Sequence, residues 1–199
     1  MKKIKDLLKN KVVVALTVVI VMTIIFFVTR KIKLDKDLKE VTKDNPALAI
    51  RSYLKRAGLP APIQNNNPGA LKRSITLWNG EIISFEPIKK FSLFIWGVRA
   101  FILHIKSAIE RGDTFKTMAA DYQIPIPPIF EANPDDFIKS QATAAGVDYD
   151  KQLVADYETV KRIAQNFADN INGKPPGAQR NVFTTWIPDN LMKAAWDLQ

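Results

Sequence analysis

Seventeen consecutive residues, Val12 to Val28 (VVVALTVVIVMTIIFFV), carry no charge, and only Thr17 and Thr23 interrupt the apolar run. At about 1.5 Å per residue a helix of this length covers roughly 25 Å, somewhat short of a hydrocarbon core of about 30 Å. Lys9, Lys11, Arg30 and Lys31 flank the run. Their long side chains can reach back to the headgroups and close the deficit. A threonine in such a helix returns its hydroxyl to a carbonyl of the preceding turn, so neither hydroxyl opposes insertion. A basic start followed by an apolar stretch also fits a secretory signal. Here, however, the run ends Phe26-Phe27-Val28-Thr29-Arg30, without a small-x-small cleavage site. The expectation is an uncleaved single-pass anchor over residues 12–29, preceded by a basic tail, 1–11. The short tail favours an inside N-terminus with the body outside. Five lysines before the span and a comparable cluster after it leave the charge bias nearly balanced.

Charge divides the chain again beyond the span. Residues 1–43 hold eleven Lys/Arg and four Asp/Glu, whereas residues 44–199 hold 18 and 16. The basic character is therefore a property of the N-terminus, and the nearly neutral body argues against nucleic acid as a partner. Residues 30–43 form a charged stalk with Ile32, Leu34, Leu38 and Val41 at helical spacing. They can prolong the membrane helix, lie on anionic headgroups, or act as a solvated spacer.

The chain has no cysteine and one histidine, His104. That excludes a disulfide framework, a thiolate metal site, a cysteine nucleophile and a multi-histidine metal centre. The routes to chemistry that remain are carboxylates, a carboxylate-bound metal, or none, and no specific metal ligand set or cofactor is expected.

Residues 44–199 read as one mainly α-helical domain with a small β excursion. Asp44-Asn45-Pro46 is a helix start, predicting a helix over 47–58 that ends at Gly58. Gln64-Asn65-Asn66-Asn67-Pro68-Gly69 is the densest turn signal. Ile75, Leu77, Ile82, Ile83 and Phe85 alternate around Asn79-Gly80, predicting a hairpin across that dipeptide and ending at Pro87. A long amphipathic helix follows over 90–111, with Phe94, Val98, Phe101, Ile102, Ile105 and Ile109 on one side. Further helices are expected over 113–122, from Asn133-Pro134 to Gly146, from Asp148 or Asp150 to about Ile171, and over 189–199. His104 is expected as a satisfied histidine at the core boundary. Arg111-Gly112-Asp113 reads as helix end, glycine and next helix start, and Asp135, Asp136, Asp148 and Asp150 lack EF-hand spacing.

The three asparagines carry amides that can hold a turn or grip a polar ligand, and Trp78 can stack on a sugar ring. The segment Asn65-Asn66-Asn67-Pro68-Gly69-Ala70-Leu71-Lys72 resembles the N-N-N-P-G-N-I-R signature of a family of bacteriophage virion structural proteins, similar in pattern to lysozyme-like cell-wall enzymes. Trp78-Asn79-Gly80 resembles that family's W-x-G. Phe85-Glu86-Pro87 is similar to its strand end, and Gly97-Val98-Arg99-Ala100 to its G-I-R-A. Ala70 and Leu71 stand where the signature has Asn and Ile. The resemblance covers about residues 64–170. It implies a lysozyme-like helical fold and a wall-contacting role in a phage virion membrane, or in a bacterial inner membrane facing the periplasm. The implied partners are the lipid bilayer, peptidoglycan or a related glycan, and other virion or envelope proteins. Asn65, Asn66, Asn67 and Trp78 are then the expected glycan-binding residues. Related enzymes carry a catalytic glutamate before the turn, yet no acidic residue lies between Asp44 and Glu81. Glu81 and Glu86 are therefore the candidate catalytic acids. The alternative is a structural or scaffolding module without turnover.

Overall fold

The computed structural model describes residues 2–176 and 185–198, with side chains from residue 13 onward. The end of the 189–199 prediction, Gln199, lies outside the described residues. The chain divides into two compact units, residues 1–40 and 41–199, described separately below.

The first unit is essentially one helix, α1 (Lys2–Val41), which continues without a break through the apolar run and the charged stalk. It is long and apolar enough to cross a membrane. Thr17 donates its hydroxyl to the Val13 carbonyl at 2.9 Å, and Thr23 to that of Val19 at 2.8 Å. Each hydroxyl thus has a partner within its own helix.

The second unit is mainly helical. Its centre is α4 (Phe94–Glu110), eleven of whose seventeen residues are buried, including every apolar residue of the predicted stripe. Helices α7 (Tyr157–Asn172) and α8 (Asp189–Asp197) pack on α4. Helix α5 (Phe115–Asp121) starts with a reciprocal capping box between Thr114 and Thr117. Helix α6 (Pro134–Ala144) starts with Pro134 and carries Asp135 and Asp136 in its first turn, as Asn133-Pro134 announces.

Four expectations change. The helix predicted over 47–58 shrinks to one turn, α2 (Ala47–Ile50). Two tertiary hydrogen bonds draw the next residues into extended backbone: Phe94 N–H donates to the Arg51 carbonyl at 2.9 Å, and Tyr53 N–H to Asn66 Oδ1 at 2.7 Å. Asn79-Gly80 does form a turn, but no strands pair across it. Instead β1 (Glu81–Ile82) pairs antiparallel with β2 (Lys90–Phe91), and Lys72 bridges to Ile88. Because residues 90–91 belong to β2, α4 begins at Phe94 rather than Lys90. Helix α7 begins at Tyr157, because Asp156 rather than Asp148 or Asp150 caps it, accepting from Thr159 N–H at 2.7 Å.

The asparagine turn follows α3 (Ala61–Gln64) and lies against α4 at two glycines. A Cβ on Gly97 would stand 1.7 Å from the Asn66 carbonyl oxygen, and one on Gly69 would stand 2.1 Å from the Phe101 ring. Neither site has room for a side chain. Asn172, at the end of α7, donates to the Pro68 carbonyl at 2.8 Å and ties the turn to a second helix.

Candidate functional site

A cleft of about 430 Å³ opens between residues 70–78 on one side and helices α4 and α5 on the other. Trp78, Lys72, Arg73 and Lys89 line the first wall; His104, Asp121 and Tyr122 line the second. Its shape depends on the asparagine turn, which delivers the chain to Ala70, and on a staple made by Lys89.

The turn uses its amides internally. Asn66 and Asn67 are fully buried. Asn66 accepts from Tyr53 N–H and donates Nδ2 to Ser52 Oγ and the Phe91 carbonyl, both at 2.9 Å. Asn67 closes a ring with Leu71, accepting its N–H and donating to its carbonyl at 3.0 Å, and also donates to the Lys89 carbonyl. These two asparagines reach no solvent, so whatever they contribute to ligand binding comes through the loop they shape. Asn65 donates Nδ2 to Glu86 Oε2 at 2.9 Å. Of the four expected glycan-binding residues, Trp78 is the one on the cleft wall, where it is half-buried.

The two candidate acids are also engaged. Glu81 Oε1 lies 2.8 Å from Lys89 Nζ, and its Oε2 accepts from Trp78 N–H at 3.0 Å. Lys89 is itself buried and donates to the Thr76 carbonyl at 2.8 Å as well. Glu81 thus anchors the wall from behind. Glu86 is held below the usual carboxylate range, first by the hydrogen bond from Asn65 and then by Lys90. A general acid needs the opposite shift. Neither glutamate is among the cleft's lining residues. The carboxylate there is Asp121.

On the second wall the Tyr122 hydroxyl lies 2.6 Å from His104 Nδ1. Burial pushes the Tyr122 phenol well above its ordinary range and pulls His104 below its own. Arg111 reinforces the lowering at His104, while Asp121 and Asp113 oppose it. Both groups are neutral at pH 7, and the phenol is the stronger donor. We therefore assign the shared hydrogen to Tyr122 and leave the remaining ring hydrogen on Nε2. His104 is the satisfied boundary histidine its surroundings in the sequence imply, and it also faces the cleft. Lys72 ends the signature-like segment that begins at Asn65, whereas Asp121, Tyr122, Arg73 and Lys89 carry no motif that marks them. His104 and Tyr122 meet only because α4 and α5 fold against each other. A second hollow, of about 960 Å³, is walled by Tyr53 and Trp186.

No protein-family model matches this chain, and the search of curated proteins gives no match.

Proposed function

We propose that this is a membrane-anchored protein of a phage virion or bacterial envelope whose lysozyme-like body holds a peptidoglycan-type glycan in the cleft beside Trp78, without cutting it. The observation that carries the reading is the cleft itself: an indole on one wall, with Lys72, Arg73 and His104 around the same space. Flat aromatic surface suits the apolar face of a sugar ring. Cations suit a glycan that bears carboxylates, as wall polymers with lactyl or peptide groups do. The engagement of Glu81 and Glu86 favours binding over hydrolysis, because both carboxylates are committed to other groups and Glu86 is held in its ionised form, without a proton to donate.

The test uses the full-length protein in lipid nanodiscs, mixed with purified peptidoglycan. Sedimentation measures binding and mass spectrometry of the supernatant measures cleavage. Co-sedimentation without soluble muropeptides is expected, and Trp78→Ala should weaken it about tenfold, the equivalent of about 1.4 kcal/mol. Release of muropeptides would overturn the non-catalytic part of the reading, and Glu81→Gln, Glu86→Gln and Asp121→Asn would then identify the acid. Failure to sediment would overturn the glycan.

A further inference from the structure

The strap of residues 72–88 turns apolar side chains outward. Among the described residues beyond α1, eight large hydrophobic side chains are exposed, and five of them fall between residues 75 and 85. Ile75 is 101% exposed, Phe85 90% and Ile83 83%, with Leu77 and Ile82 beside them in sequence. Single exposed hydrophobics are ordinary on a protein surface, whereas a run of them marks a contact surface.

The exposure is not the result of a loose chain. Lys89 N–H donates to the Leu71 carbonyl at 2.8 Å, and Arg73 N–H to that of Pro87 at 2.9 Å, closing the strap at its base. Inside it, Lys89 Nζ gathers the Thr76 carbonyl and Glu81, and Ser92 N–H holds the Gly80 carbonyl at 2.9 Å. The backbone is tied while the apolar groups it carries are left in water. Exposed Lys72 and Arg73 stand at the base, with the Arg73 guanidinium 5.5 Å from the centre of the Phe85 ring. Of the strap's two acids, Glu81 is paired with Lys89, and Glu86 with Lys90 at 3.2 Å.

From this pattern we infer that the strap is a second membrane contact: Ile75, Ile83 and Phe85 enter the headgroup–acyl boundary of a bilayer, with Lys72 and Arg73 on its anionic headgroups. Apolar side chains bordered by basic ones are the composition of an interfacial anchor. The same chain supplies the bilayer. From Val28, where the uncharged run ends, to Val41 the helix rises only about 20 Å. A body tethered so closely meets the surface at high effective concentration, so a few side chains suffice for a contact that would be weak in an untethered protein. The inference rests on α1 being a membrane anchor; it shares Lys72 and Arg73 with the glycan reading, so bilayer and glycan would compete for those two cations.

The chain contains no cysteine, so single cysteines can be placed at will. Ile83→Cys, Phe85→Cys, Ile129→Cys and Ile20→Cys are each labelled with an environment-sensitive fluorophore. The full-length protein is then reconstituted at one copy per nanodisc, in phosphatidylcholine with or without phosphatidylglycerol. Ile129, exposed and outside the strap, is the control, and Ile20 reports on the anchor alone. The expected result is a blue shift and several-fold protection from aqueous iodide at positions 83 and 85, but not at 129. Protection should be strongest with phosphatidylglycerol and reduced by Lys72→Glu with Arg73→Glu. Equal quenching at 83, 85 and 129 while position 20 is shielded would overturn the strap contact and leave the anchor standing. An unshielded position 20 would remove the anchor and this inference with it. Protection at 83 and 85 that appears only with several copies per disc would assign the surface to self-association and overturn the bilayer contact.

Discussion

The asparagine turn and the strap that follows it invert the usual distribution of polar and apolar groups. In residues 65–67 three consecutive amides are buried. A few residues later Ile75, Ile83 and Phe85 stand in solvent. A buried amide is tolerable only when its hydrogen-bonding groups are satisfied, and Asn66 meets that condition through Tyr53, Ser52 and Phe91, Asn67 through Leu71 and Lys89. Exposed isoleucines satisfy no comparable folding condition. The inversion therefore separates two purposes. The polar residues organise the fold, and the apolar ones are withheld from the core, where they contribute nothing to stability but remain available for contact.

The most severe way to break that division is Gly97→Ala. The added methyl would stand 1.7 Å from the Asn66 carbonyl oxygen, which is backbone and cannot swing aside. A loss of at least about 3 kcal/mol is expected in urea unfolding of the full chain. Stability within about 1 kcal/mol of the parent would mean that the turn does not sit on α4 as described. Next in size is Asn66→Ala. It deprives the Tyr53 N–H and the Phe91 carbonyl of their partner inside the core and leaves alanine at φ 54°. A loss of about 2–3 kcal/mol follows from the unsatisfied groups and the left-handed backbone. The matching change in the strap, Phe85→Ser, should move stability by no more than about 0.5 kcal/mol. Comparable losses at both positions would show that the strap is structural after all.

The sequence makes the two regions unequally legible. Local patterns suffice for the core stripe of α4, all six residues of which are buried, and for α6, which starts where Asn133-Pro134 indicates. The same holds for the apolar length of α1 and the back-bonded Thr17 and Thr23. Local reading fails at 47–58 and in the strap, where distant partners decide. Arg51 is extended because Phe94 takes its carbonyl, and β1 pairs away from Asn79-Gly80 because Lys89 collects the strap from the other side. Alternating apolar residues predict a half-buried strand, and nothing local reveals that Ile75 and Ile83 face water. In the candidate site Trp78 could be foreseen, while Asp121 and Tyr122 reach the cleft only through helix packing.

A smaller test concerns His104, on the cleft wall opposite the strap. Burial lowers its pKa below the ordinary value of about 6.5. As pH falls through that value, the unfolded chain takes up the proton before the folded one, so protons favour unfolding. Stability should therefore decline as pH falls through the ordinary histidine range, down to the lowered folded-state pKa. Because this is the only histidine, His104→Gln should flatten that slope. Glu86, Asp135 and Asp156, all held below the ordinary carboxylate range, act at lower pH. A slope unchanged by His104→Gln would mean that the ring is as well solvated in the folded chain as in the unfolded one.

A modest gain is expected at the joint between the two regions. Ala70 closes the turn, donating its N–H to the Asn67 carbonyl at 3.0 Å, and opens the cleft wall. Its φ is 49°, left-handed backbone that alanine occupies only at a cost of about 1–2 kcal/mol. Asparagine tolerates that conformation better than other non-glycine residues, because its amide can bond to nearby backbone. Ala70→Asn should therefore gain about 0.5–1 kcal/mol, or about 1–4 °C in Tm for a chain of this size. Nanodisc labelling at positions 83 and 85 should stay unchanged, since the substitution leaves in place the Asn67 bonds to Leu71 and Lys89 that tie the turn to the base of the strap. A stability gain with the strap unaffected would locate the strain in the turn alone. A gain accompanied by altered protection at 83 and 85 would mean that the strained alanine sets the angle at which the strap meets the bilayer, and that turn and strap work as one device.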